Sequence, residues 1–224
     1  MLAAEFIGTH LAALLGLPVF EHALLPYDGV PEITLHHGGK TEPGPAWITR
    51  KEEGFAWSGR AEDLREVENP DDLAALVLLD LWTLNCDRYR PDPLRVNFGN
   101  VFLSRQQASA GKVRLVAMDH THILICGRPL TPAVAQIDRI QSSVRFGLFP
   151  GFAGHVTWPR ALAARERLVA VAPEAVKAVV NGVPREWQVD EATREALGRF
   201  LLQRKDWLIG AFPDVIFEQP ELFV

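Results

Sequence analysis

Apolar residues recur with helical spacing over the first fifteen positions. Leu2, Phe6, Ile7, Leu11, Leu14 and Leu15 share one face, and Gly16 followed by Pro18 ends the run. The period then shortens: "PVFEHALL" and "PEITLHH" alternate as strands do, with "PYDG" between them as turn chemistry, which predicts an antiparallel sheet near the N-terminus. Residues 38–59 are rich in Gly, Pro and charge, with "AWIT" as one possible strand. A second helix is predicted from Asn69, where Asn69 caps, Pro70 takes the first position, and Asp71 and Asp72 sit at the positive end of the dipole. Its body, "LAALVLLDLWTLN", is apolar nearly all round, which places it in the interior. "VFLSR" and "KVRLVAM" then read as a hairpin around "QQASAG", closed by "DHTH". The remainder is helical: Thr131 with Pro132 and Thr157 with Pro159 mark starts, Gly182 an end, and "DEATREALGRFLLQRKDWLIGAF" a long amphipathic helix.

Composition narrows the function classes. A chain of 224 residues with 48% apolar content can bury a sizeable core. Its 23 Lys and Arg against 28 Asp and Glu give a net charge of -5, which argues against a chain-wide attraction to nucleic acid or anionic membrane. The two cysteines, Cys86 and Cys126, have no CxxC spacing, so neither a disulfide framework nor a cysteine zinc site is indicated, and a reducing cytoplasm fits. The first residues lack the basic start of a secretory signal, and Glu5 and His10 interrupt their apolar stretch. No run of about 18 uncharged apolar residues predicts a membrane span.

The densest chemistry lies in "NCDRYRPDPLRVNFGNVFLSR", residues 85–105, between the buried helix and the hairpin. "NCDR", then Asn97 or Asn100 before "VFL", then "LVAMDH", resemble the catalytic and metal-binding segments of the HipA-like kinases, which share a logic with the phosphatidylinositol kinases. "AAEFIGTHLAALLGLPVFEHALL", "GVPREW" and "QRKDWL" are also similar to that family, so the resemblance spans most of the chain. It implies an α+β, protein-kinase-like fold, with a reduced N-terminal lobe over residues 1–68 and a mainly helical lobe over residues 69–224. It further implies ATP and Mg²⁺ as cofactors and phosphoryl transfer to a hydroxyl on a protein or small molecule. Asp87 would be the catalytic base, with Asn100 and Asp119 as metal ligands. Asn97 competes with Asn100 and otherwise serves the nucleotide with Arg88, while Glu5 would be the helix carboxylate that pairs with a Lys. Mg²⁺ neutralises the β and γ phosphates in such a reaction, and hard oxygen ligands hold it.

Two departures qualify the resemblance. "YRPDPLRV" is an insertion between the catalytic Asp and the metal Asn. The family's phosphate-contacting loop and Lys precede the helix that here begins at Leu2, and Lys40 in "HHGGKT" lacks the P-loop pattern. Three outcomes stay open: a kinase completed by a separate chain, a pseudokinase-like module that only binds, or a kinase with a rearranged phosphate grip. A different class, a metal-dependent hydrolase, would use His120 and His122 beside Asp119, although the other histidines are scattered. Plainer readings stand beside these. Asp87 and Arg88 also suit a solvated ion pair at a helix end, Asn97 and Asn100 turn chemistry, and Arg88, Arg90 and Arg95 either a grip on phosphate or the solvated face of the insertion. Cys86 reads as a core residue, His36 and His37 as a strand end, and the tryptophans as packing.

Overall fold

The computed structural model describes residues 1–28 and 43–217. Helix α1 (Leu2–Leu14) forms where its periodicity predicts and buries Phe6, Ile7 and Leu11, with Leu15 just beyond its end, but Leu2 and Leu14 of the predicted face are exposed. Strand β1 (His22–Tyr27) pairs antiparallel with β2 (Gly44–Thr49), placing Leu24 opposite Trp47. This corrects the reading of "PYDG" as a turn, because Pro26 and Tyr27 lie within the ladder opposite Pro45 and Gly44. A two-stranded ribbon has only edges, and an edge tolerates a proline that donates no hydrogen bond. The partner of β1 is therefore the segment containing "AWIT", while "PEITLHH" falls outside the described residues.

Strand β3 (Gly54–Ala56) and helix α2 (Ala61–Arg65) lead to α3 (Asp71–Thr83). A ribbon of β4 (Tyr89–Arg90) and β5 (Arg95–Val96) precedes the hairpin β6 (Val101–Ser104) and β7 (Arg114–Ala117). Short helices α4 (Ile123–Cys126) and α5 (Ile137–Ile140) are followed by α6 (Trp158–Ala170), α7 (Pro173–Asn181) and the long α8 (Glu191–Ile216). The main sheet has the order β3-β6-β7. It joins the two sides of residue 68, since β3 pairs with β6 and Val67 bridges Val113. The apolar core likewise runs across that point, with α1 packed on α3 and α7. None of the described helices is long and apolar enough to cross a membrane.

Helix α3 is the axis of the molecule: every residue from Asp72 to Thr83 is buried. At its start Asn69 bonds Asp72 at 2.6 Å and both the N–H and the C=O of Leu115 in β7, fixing helix to hairpin. At its end Trp82 donates from its indole to Leu201 O at 2.8 Å, and Arg204 donates to Leu81 O at 2.6 Å, tying α3 to α8. The tryptophans do not all pack inside, since Trp57 and Trp82 are buried but Trp158 is half exposed. Cys86 and Cys126, 40 residues apart in sequence, are brought side by side with Cα atoms 5.7 Å apart, a proximity that their spacing did not predict. The sequence interval carries no signal for it, because the fold turns α4 back beside the loop after α3.

Two close approaches define this interior. Asp80, in α3, pairs with Arg88, and both side chains are fully buried. Burial pushes the Asp80 carboxyl up to about 6, against the attraction of Arg88 and the hydrogen bond from Asn85, so it stays ionised at neutral pH. Gly8, in α1, sits against His120, where an added Cβ would lie 2.2 Å from His120 Cβ. Replacing Asp80 by Asn removes its charge with little change of shape and leaves Arg88 buried without a counterion. Asp80→Asn should cost about 3–5 kcal/mol in urea unfolding. Gly8→Ala should lower the thermal midpoint, because overpacking of about 1–3 kcal/mol outweighs the roughly 1 kcal/mol by which a helix favours Ala. A raised midpoint in Gly8→Ala would show that α1 does not press on this segment.

Candidate active site

The site is assembled by the chain that leaves α3. Leu84 takes a left-handed backbone (φ 53°) and turns the chain, and Asn85 then bonds back to Asp80 through both its backbone and its side chain. The Asn85 side-chain oxygen accepts from Asp87 N at 3.1 Å, so the backbone of Asp87 is set by a buried amide. The insertion folds as the β4–β5 ribbon and returns the chain where Asn97 N meets Arg88 O at 2.9 Å. A single 3-10 turn, Phe98–Asn100, delivers Asn100 to the start of β6.

Asp87 is thereby nearly enclosed, at 4% exposure. Its Oδ2 accepts from Asn100 Nδ2 at 2.8 Å and from Asn97 Nδ2 at 3.3 Å. Asn97 Nδ2 also reaches Asn100 Oδ1 at 3.0 Å. The other oxygen of Asp87, Oδ1, is ion-paired with the guanidinium of Arg95. The insertion thus separates Asp87 from both asparagines in sequence while the fold brings all three together.

Asp119 comes to the same region along β7. Val101 pairs with Ala117, which sets Asn100 across the hairpin from Met118, next to Asp119. Asp119 turns with a left-handed backbone (φ 52°), and its Oδ1 accepts from Thr121 Oγ1 at 2.8 Å. His122 Nδ1 lies 2.9 Å from the same hydroxyl and 3.8 Å from Asp87 Oδ2, so one hydroxyl and one imidazole link the two carboxylates. Glu5 enters from α1: its Oε2 accepts from His120 N at 2.6 Å and its Oε1 from Thr9 at 3.3 Å. Burial raises the Glu5 carboxyl, and the charge of Asp119 adds to that rise. No cation forms an ion pair with Glu5 among the described residues, and an open cavity of about 580 Å³ lies between the start of α1, Thr121, Ile123 and Trp187.

Arg88 does not serve a nucleotide. Its side chain is 0% exposed, and its guanidinium is consumed by Asp80, by Asn100 O at 3.0 Å and by Met118 O. Those two carbonyls begin and end the strands that present Asn100 and Asp119, so Arg88 braces the site from beneath. The solvated ion pair considered for Asp87 and Arg88 is overturned for the same reason. His120 likewise departs from the hydrolase reading: its ring is fully buried, neither nitrogen has a partner, and burial and the Arg88 charge hold it well below the usual imidazole range. No three His, Cys, Asp or Glu side chains among the described residues come together to hold a metal. Asn85 is the positioning residue that sequence reasoning passed over; its place two residues before Asp87 was the available signal.

The donor set fits Mg²⁺. The ion takes hard oxygens, prefers one or two carboxylates, and fills its remaining positions with water and substrate phosphate. Asp119 supplies a carboxylate and Asn100 an amide oxygen from adjoining ends of the β6–β7 hairpin.

No family model matches the chain, and no curated protein matches it. Among solved structures, that of a Helicobacter pylori proinflammatory kinase, CtkA, aligns with 97% of this chain and 84% of its own, with a TM-score of 0.58 at 14% sequence identity. An identity that low speaks to the backbone alone, and the backbone of this chain has a kinase-like fold.

Proposed function

We propose that this chain is a HipA-like kinase that binds ATP with Mg²⁺ and transfers the γ-phosphoryl group to a hydroxyl of a protein or small molecule. The observation that carries the reading is the Asp87 carboxylate, held on one oxygen by Asn97 and Asn100 and met on the other by the half-exposed Arg95, on a kinase-like fold. Asp87 takes the part of the base, its Oδ1 receiving the proton of the acceptor hydroxyl as that oxygen attacks phosphorus. Asn100 and Asp119 would hold the magnesium, which supplies charge neutralisation on the phosphates. Asn97 keeps Asp87 and Asn100 in register and serves the nucleotide side. Glu5, next to the Asp119 turn, keeps a place for the family's Lys, brought by residues beyond those described or by a separate chain.

The second reading, a module that binds nucleotide or a partner without transfer, draws on the same lack of a cation at Glu5. Transfer of labelled phosphate from ATP to the protein itself or to a generic acceptor separates the two. Wild-type protein should show magnesium-dependent transfer, lost on chelation. Asp87→Ala should lower it by about 10²–10⁴-fold. Asp119→Ala should remove the magnesium dependence of nucleotide binding, and both variants should unfold near the wild-type midpoint. Nucleotide binding without transfer favours the second reading; no thermal shift at millimolar ATP and Mg²⁺ excludes both.

A further inference from the structure

Arg95 stands apart from every other cation at the site. Arg88 is buried and fully bonded, whereas Arg95 lies on β5 with its side chain 53% exposed and its guanidinium ion-paired with Oδ1 of Asp87. The ribbon that carries it holds a second arginine directly opposite, since Arg90 and Arg95 are partners in the β4–β5 register. Like charges facing each other across a ladder destabilise it unless an anion lies between or beside them. Asp87 answers one of the two; Arg90 turns its guanidinium to the carbonyl of Asp92 at 2.7 Å.

We infer that Arg95 is the phosphate-receiving residue of this site: it leaves Asp87 for the terminal phosphate of the bound nucleotide, and by leaving exposes the oxygen that the reaction needs. The inference rests on the kinase reading and adds to it the cation that grips the phosphoryl group. Two facts make the exchange physically natural. The guanidinium and the acceptor hydroxyl cannot both hold Asp87 Oδ1, and the phosphate charge of a bound nucleotide draws the guanidinium away from it. Asp87, a buried carboxylate, keeps its bonds from Asn97 and Asn100 when Arg95 departs, and the phosphate takes over the charge of the guanidinium. A planar guanidinium suits the task, as it engages phosphate oxygens in pairs where an ammonium offers a point charge. The inserted ribbon thus has a chemical purpose: it projects a half-exposed cation over the catalytic carboxylate from the solvent side.

Calorimetric titration of ATP and of ADP, each with Mg²⁺, into wild-type protein, Arg95→Ala and Arg95→Lys tests this. Arg95→Ala should weaken ATP binding about tenfold, as expected for a charge-assisted hydrogen bond lost from a partly solvated site, and ADP binding by much less. Arg95→Lys should fall between wild type and Arg95→Ala for ATP, and the unfolding midpoint of both variants should stay near wild type. Unchanged ATP affinity in Arg95→Ala, or equal losses for ATP and ADP, overturns the assignment to the terminal phosphate and leaves the kinase reading standing. Wild-type protein that binds neither nucleotide overturns that reading, and this inference with it.

Discussion

The ion pair between Arg88 and Asp80, closed off from water inside the molecule, is the constraint on which the site depends. Such a pair is a poor source of net stability, because stripping water from two charges costs about as much as their attraction returns. What it contributes is position. Asp80 belongs to α3, the most deeply buried helix, and the three faces of the Arg88 guanidinium extend that rigidity to Asn100 and Met118. The residues that present Asn100 and Asp119 are therefore referenced to the core and not to one another across solvent. Asn85 completes the brace by pinning Asp87 to the same aspartate.

A division of labour follows along the loop. Groups that fix geometry are buried and tied to the core, and groups suited to contact a ligand reach the surface or face an exposed charge. Asp87 shows both properties in one carboxylate, with Oδ2 anchored by amides and Oδ1 turned to a surface arginine. Thr121 and His122 continue the polar path toward Asp119, so a hydroxyl and a ring link the two acidic residues.

Much of this was legible in the residues. The helical period of α1, the all-round apolar character of α3, the hairpin and the long α8 follow from pattern alone, because burial imposes that pattern. Asp87, Asn97, Asn100 and Asp119 could be singled out because polar side chains at the ends of apolar elements are where a fold displays chemistry. Arg88 misled for the same reason: a charged residue beside an aspartate looks solvated, and only the return of β6 and β7 over it shows otherwise. The partner of β1 was hidden because proline and glycine, read as turn formers, sit in a ribbon whose edges demand few hydrogen bonds. The nearness of Cys86 and Cys126, with Cα atoms 5.7 Å apart, arises from tertiary packing and has no local signature.

Gly8 carries a consequence beyond packing. With no side chain between α1 and His120, the helix lies directly on the residue that follows Asp119, and Glu5 one turn earlier grasps the same peptide. The opening helix and the acidic turn are therefore in direct contact, with no side-chain layer between them to absorb a shift of the helix axis.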